Sequence, residues 1–285
     1  MTTMTRPLPL LDVRHVKKVY DGHGRVVEAI GDLSFSCAAG ELVAIVGPSV
    51  AGKTTLLKCV AGLIEPTAGE VVLGDVRVSG PPPGMAVVFQ EYGRSLFPWL
   101  TVADNVALPL VQHKRERADV RRLVDAALGE VGLAGVHRAY PWQLSGGMQQ
   151  RVAIARAIAY EPKILLMDEP FAAVDAQTRA DLEDLTRKLW SRHRVTILFV
   201  THDIDEAVYM AQRVVMLSAS PTVVLEDLAI DLPAERDQLT TRSSPRFAEL
   251  RARVYQQIQR AKQPRSGVPE PSADPAPPPL RGQRS

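Results

Sequence analysis

The chain has 285 residues, 46% of them hydrophobic and 23% charged, with a formal charge of +2 at pH 7. That length and mix belong to a globular protein with a sizeable core, in one or two domains. So small a net charge gives no argument for nucleic acid or an anionic membrane surface, and no nucleic-acid partner is expected.

The opening MTTMTRPLPLLDVRH lacks the basic, apolar and small-residue regions of a signal peptide. No apolar run reaches the roughly 18–20 residues of a spanning helix. The chain is therefore expected in the cytoplasm unless a partner holds it to a membrane. From Leu10 to about Val78 the text reads mostly as short strands. LDVRHVKKVY alternates apolar and basic residues as a half-buried strand does, and VVEAIGDLSFSC and VVLGDVRVSG look similar. Between them, ELVAIVG is a continuous apolar strand, followed by a glycine-bearing loop and the helical run KTTLLKCVAGLI. Leu56, Val60 and Leu63 fall there at helical spacing. Cys37 and Cys59 lie in apolar segments and read as buried free thiols.

From Glu91 to Arg156 the pattern turns helical, in VADNVALPLV and RADVRRLVDAALGEVGL. KILLMDEP and VTILFVTHD then read as apolar strands separated by the amphipathic AQTRADLEDLTRKLWSRH. Strands alternating with helices predict a parallel sheet covered on both faces. After Ala219 the signal weakens, although PRFAELRARVYQQIQR predicts one more helix, with Phe247, Leu250 and Val254 on one face. Beyond Ala261 proline, serine and charge predominate, and such text cannot offset the entropy of folding, so a disordered tail is expected.

Three motifs carry chemistry. Gly47-Pro48-Ser49-Val50-Ala51-Gly52-Lys53-Thr54 matches G-x-x-x-x-G-K-[ST]. Glycines let such a loop wrap so that backbone N–H groups face phosphate oxygens at a helix start. Lys53 can then reach the β- and γ-phosphates, Thr54 can ligate Mg²⁺, and Thr55 can touch the α-phosphate. Next, the strand Ile164–Met167 ends in Asp168 and Glu169, which places Asp168 beside a metal and lets Glu169 polarise an attacking water. Taken alone, that pair would also suit a helix cap. Third, Leu144-Ser145-Gly146-Gly147-Met148-Gln149-Gln150-Arg151 precedes a helix. Ser145 with the amides of Gly146 and Gly147 makes an anion site lacking a lysine of its own; a plain serine N-cap is the blander alternative.

In this order, with Gln90 in VVFQE, AAVDA and VTHD, the motifs resemble the ATP-binding cassette (ABC) transporter ATPases from about Leu10 to Ser218. The resemblance implies an α/β fold: a P-loop NTPase-type core sheet flanked by helices, with an antiparallel β subdomain and an inserted helical subdomain. It sets an ATPase domain at 8–230, with the helical insert at about 91–156. A one-helix C-terminal extension at 231–261 and the proline-rich tail at 262–285 follow. It implies hydrolysis of ATP with Mg²⁺, Gln90 sensing the metal and water, and His202 contacting the γ-phosphate. Asp175 would lie on the loop that crosses a dimer interface, and Tyr20 would stack on adenine. Ser145 and its glycines would complete the site of a second copy, so that two ATP molecules are held between two cassettes.

Leu96-Phe-Pro-Trp-Leu-Thr-Val-Ala-Asp-Asn-Val-Ala-Leu108 and the last helix resemble importers of nitrate, sulfonates, taurine and related solutes. The partners this implies are a transmembrane permease, a second cassette (a homodimer) and, indirectly, an extracytoplasmic solute-binding protein. The implied location is peripheral, on the cytoplasmic face of the inner membrane. Leu96, Phe97 and Trp99 are candidates for the groove that takes a permease helix. Two departures stand out: Val50 replaces the glycine usual in the phosphate loop, where a β-branched residue resists positive φ, and Val174 replaces a leucine. An ATP-gated interaction or regulatory protein outside transport is the alternative reading. The double cassettes or long coiled-coil insertions such proteins usually show are absent here.

Overall fold

A computed structural model describes residues 9–22, 25–49, 51–91 and 95–262. Three strands come first: β1 (Leu11–Gly22), β2 (Arg25–Cys37) and β3 (Leu42–Val46). Helix α1 (Lys53–Val60) leads to β4 (Ala68–Leu73), β5 (Val76–Arg77) and β6 (Met85–Val88). The helices α2 (Val102–Gln112), α3 (Arg117–Glu130) and α4 (Gly146–Ala159) follow. The chain then alternates through β7 (Ile164–Asp168), α5 (Ala176–His193), β8 (Thr196–Thr201), α6 (Ile204–Met210) and β9 (Arg213–Leu217). It ends with β10 (Thr222–Ala229) and α7 (Pro245–Lys262). The expected tail lies, after Lys262, outside the described residues.

Among the described residues the strands form one ten-stranded sheet, in the order β5-β4-β1-β2-β10-β9-β3-β8-β7-β6. β9, β3, β8, β7 and β6 run parallel, and β10 runs antiparallel to β9. β10 hands the sheet on to the antiparallel β2, β1, β4 and β5 through a short parallel pairing with β2. All of β3, β7 and β8 is buried, as strands covered on both faces must be. Leu42, Ala44 and Val46 join Leu165, Met167, Ile197 and Phe199 on the face that carries α2 to α7. Val43 and Ile45 join Leu166, Leu198 and Val200 on the face covered by α1 and the antiparallel strands.

Three sequence expectations change in detail. In β1 the alternation breaks at His15, whose φ of 49° coincides with a slip in register, and the bulge returns Val16 to the core. α1 stops at Val60, two residues before the left-handed Gly62 (φ 68°). A side chain there would strike the Gly80 carbonyl at 2.2 Å, so Leu63 falls beyond the helix and is exposed. Leu96, expected at a surface groove, is buried in the core, whereas Phe97 and Trp99 are exposed with ring centroids 5.3 Å apart. The buried Asn105 fixes this turn. Its Oδ1 accepts from Phe97 N at 2.8 Å, and its Nδ2 donates to the carbonyls of Phe97, Leu100 and Thr101 at 3.0–3.2 Å.

Phe247, Leu250, Val254 and Ile258 bury one face of α7 in the main core. Before it, Arg236 Nη1 donates to the carbonyls of Val208, Tyr209 and Ala211 at 3.0, 2.6 and 2.9 Å, closing the C-terminus of α6. Cys37 and Cys59 are free and buried, and burial pushes their thiols up to about 12 and about 11. No helix of the described residues is long and apolar enough to cross a membrane.

Beneath α6 lies a buried pair of acids. Glu183 accepts from Gln238 Nε2 at 3.0 Å and Arg242 Nη2 at 2.6 Å, while Glu206 Oε1 has no hydrogen-bond partner. Burial, with Glu183 and Asp203 nearby, raises the Glu206 pKa well above the usual carboxylate range. Folding therefore takes up a proton at Glu206. The stability tied to it is full below about pH 4, the ordinary glutamate range, and drains away as pH rises towards the folded value. Glu206→Gln removes this slope. In thermal unfolding between pH 4 and 9 the variant should gain on the wild type steadily as pH rises. A difference in Tm that stays flat with pH would contradict the assignment.

Candidate functional site

The site begins where β3 ends. Gly47 is followed at once by a tight turn, with Ala51 N donating to Pro48 O at 2.9 Å. Gly52 adopts φ 59°, and a Cβ there would lie 2.9 Å from the Ala29 carbonyl. Only glycine fits that combination without strain. The Thr222 hydroxyl of β10 donates to Ala51 O at 2.7 Å and holds the turn from behind. No side chain caps α1, so the amides of its first turn remain available to an anion. Lys53, 5% exposed, folds back over the loop and donates to Gly47 O at 2.9 Å and Pro48 O at 2.8 Å. Burial lowers its pKa, and Glu169 and Asp168 oppose that shift by favouring the ammonium. Val50 lies outside the described residues. Its neighbours are described, with Pro48 buried and Ser49 exposed.

Three adjacent strands supply the polar groups at the sheet edge. β7 ends in Asp168, which is 5% exposed and accepts from the Thr54 hydroxyl at 3.4 Å. Burial raises its pKa, so the ionised carboxylate stands in need of a counter-charge. Glu169 follows with φ 44°, a strained value for a side-chain-bearing residue and one that clusters at functional sites. Its N–H donates to Val200 O at 2.9 Å, fixing the turn at the sheet edge. Gln90, just past β6, donates from Nε2 to Glu169 Oε2 at 3.2 Å. His202, just past β8, brings Nδ1 to the same oxygen at 3.1 Å. Ligands of open α/β sheets bind at this carboxyl edge.

Tyr20 sits at the rim, 43% exposed, with its hydroxyl 3.4 Å from Thr55 Oγ1. Lys18 Nζ lies 5.3 Å from the ring centroid. The predicted residues that are described thus gather into one cluster: Gly47 to Ser49, Ala51 to Thr55, Tyr20, Gln90, Asp168, Glu169 and His202.

Ser145, Gly146, Gly147 and Asp175 form a second cluster. Ser145 caps α4, accepting from Met148 N at 3.3 Å, and is exposed with Gly146. Gly147 faces Thr178, whose Cγ2 would lie 2.4 Å from an added Cβ. Asp175 caps α5, accepting from Thr178 N at 3.0 Å and the Thr178 hydroxyl at 2.7 Å, and these bonds lower its pKa. Among the described residues no hydrogen bond joins Ser145 or Asp175 to the loop around Lys53. Sequence reasoning missed Thr222 behind the loop and the buried Gln150. Gln150 Nε2 donates to Pro170 O at 2.7 Å and ties α4 to the Glu169 turn. Spacing carries no trace of Thr222, whereas Gln150 was visible as a polar residue on an otherwise apolar helix face.

The described residues hold no group of three or more His, Cys, Asp or Glu side chains suited to a metal ion. A hard cation sharing its shell with phosphate and water needs fewer protein oxygens, and the Thr54 hydroxyl with the buried Asp168 carboxylate fits that donor set.

Comparison with known proteins agrees with this geometry. A family model described as ABC transporter matches residues 30–172. An ABC transporter ATP-binding protein of Methanocaldococcus jannaschii is 44% identical over 247 residues, covering 86% of this chain and 89% of that protein. The aliphatic sulfonates import ATP-binding protein SsuB 2 of Burkholderia lata is 43% identical over 261 residues, 90% of each. Among solved structures, a dimeric ATP-binding cassette in a post-hydrolysis state bound to ADP and Pi superposes with a TM-score of 0.68 at 31% identity. The superposition covers 78% of this chain and 100% of that one.

The left-handed turn gives a direct test. Gly52→Ala should lower the unfolding free energy by about 1–3 kcal/mol and weaken nucleotide binding at least tenfold. Urea denaturation and titration with a fluorescent ATP analogue measure the two. Wild-type values in both would show that the turn tolerates a side chain.

Proposed function

The chain belongs to the ABC transporter family and is an ATPase of it, and from that premise we propose that it drives an importer of small sulfonate-, nitrate- or taurine-like solutes through a separate permease. The observation that carries the reading is the meeting of Gln90 and His202 on one oxygen of Glu169, beside Lys53 and Asp168. Both contacts fall on Oε2, which leaves Oε1 to accept a hydrogen bond from water. Glu169 acts as the general base: the water oxygen attacks the γ-phosphorus in line, its proton passes towards the carboxylate, and the bond to the β-phosphate oxygen breaks. Lys53 and the N–H groups at the start of α1 bind the β- and γ-phosphates, and Thr55 reaches the α-phosphate. Tyr20 stacks on adenine, and His202 holds the γ-phosphate and the base in register.

Thr54, Asp168 and Gln90 are the residues that would hold Mg²⁺, which when bound neutralises charge on the phosphates. Ser145, Gly146 and Gly147 of a second copy complete each site, with Asp175 on the turn between copies. The exposure of Ser145, Gly146 and Asp175, and the lack of a hydrogen bond from Ser145 or Asp175 to the first cluster among the described residues, support this. The dimeric cassette with ADP and Pi among similar structures supports it too.

The permease docks along α2. Exposed Phe97 and Trp99 lie at its start, and a groove of about 540 Å³ lined by Pro82, Met85, Leu108, Pro109 and Tyr160 runs beside its end. That placement sets the chain peripherally on the cytoplasmic face of the inner membrane, with an extracytoplasmic solute-binding protein acting through the permease. The boundaries 8–230, with the helical insert at about 91–156, and 231–261 are proposed as its working divisions.

Glu169→Gln should cut turnover roughly 10²- to 10⁴-fold, about 3–5 kcal/mol of barrier, while ATP binding persists and a dimer is trapped on gel filtration. Lys53→Ala should lose binding itself. Undiminished hydrolysis in Glu169→Gln would refute the base. Replacing Phe97 and Trp99 together by serine should leave the isolated ATPase active and abolish recovery of a multispanning partner; unchanged recovery would rule out this docking face.

A further inference from the structure

Among the described residues an ion pair joins the turn at Asp175 to the turn at His202. Asp175 opens α5, and Arg179 lies one turn further on, its N–H bonded to Asp175 O at 2.9 Å. Arg179 Nη1 reaches across to Asp203 Oδ2 at 3.2 Å. Asp203 directly follows His202 and divides its two oxygens between two tasks. Oδ1 caps α6, accepting from Asp205 N at 2.9 Å and Glu206 N at 3.1 Å, while Oδ2 takes the guanidinium. Asp203 N in turn donates to the Thr201 hydroxyl at 3.0 Å. The Arg179 Nε atom is buried with no hydrogen-bond partner, so among the described residues Asp203 supplies the hydrogen bond that holds this guanidinium, while the Glu206 carboxylate is close enough to feel its charge.

The cap ties Asp203 to α6, and the next residue towards the N-terminus is the imidazole that meets Glu169 at 3.1 Å. A shift of α5 at its first turn is therefore handed to His202 through one hydrogen-bonded contact. We propose that Arg179 is a positioning residue for ATP hydrolysis, holding His202 in register with Glu169 and linking it to the Asp175 turn. This rests on the reading of Glu169 and His202 given above. The pair is about one-third exposed on each side, and such a pair contributes little to stability. Its value is geometric, since a displacement on the order of 1 Å at reacting groups costs up to about a hundredfold in rate.

The test is a double-mutant cycle on the full chain, comparing Arg179→Met, His202→Ala and the two combined, with Arg179→Lys as the conservative variant. Arg179→Met keeps the aliphatic bulk, and its Tm should stay close to wild type. Its kcat should fall roughly ten- to a hundredfold with KM for ATP nearly unchanged. Arg179→Lys should recover much of that loss, and in the His202→Ala background the Arg179 substitution should cost almost nothing more. Equal losses in both backgrounds, or wild-type kcat in Arg179→Met, overturn the inference alone while leaving an impaired His202→Ala, and with it the site reading, intact. Wild-type turnover in His202→Ala overturns the site reading and this inference together.

Discussion

β6, β7 and β8 are neighbours in the sheet, run the same way and stop at the same edge. Each delivers one polar residue just past its end, and the outer two, Gln90 and His202, converge on one carboxylate oxygen of the middle one, Glu169. Sheet geometry makes this possible, because adjacent strands lie about 4.8 Å apart, a spacing that side chains from either flank can bridge. The strained turn at Glu169 aims the carboxylate along the edge, and the bond from its amide to Val200 holds the turn in place. The buried hydrophobic strands act as rails for this alignment, since a slip of one residue would turn every side chain to the opposite face of a packed sheet and displace the groups at its edge.

Opposite that row, the loop around Lys53 works by backbone rather than by side chains. Its ammonium is removed from water, which lowers its pKa, while two loop carbonyls accept from it and two nearby carboxylates favour its charged form. Asp168 faces the reverse problem: burial raises its pKa, and among the described residues a long hydrogen bond from Thr54, with the charges of Lys58 and Lys53, favours its ionised form. Desolvated groups of opposite charge that act on each other form a region suited to a ligand that carries many negative oxygens and a cation.

Much of this was legible in the sequence because short-range spacing encodes it. The loop from Gly47 to Thr54, the apolar strands ending in Asp168-Glu169 and His202, and the apolar face of α7 all follow from local pattern. What the sequence hid depends on contacts between distant segments. The end of α1 is set by Gly62 fitting under the Gly80 carbonyl, and no helical periodicity reports that. Leu96 and Phe97 are adjacent and equally apolar, yet the buried Asn105 turns one inward and leaves the other outside. The alternation in β1 reads as regular, but the bulge at His15 resets it. Thr222 and Arg179 act across long stretches of chain, so their roles surface only in three dimensions.

Thr222 has one more implication. The same residue pairs with Ile30 in β2 and bonds the carbonyl of Ala51 in the loop. β2 in turn carries β1, where Val27 stands opposite Tyr20. The aromatic rim and the glycine turn are thus mounted on a common beam, and the gap between them is a gauge length that the fold has machined in advance. A ligand that touched both ends would find their separation set beforehand by strand pairing and one hydroxyl bond.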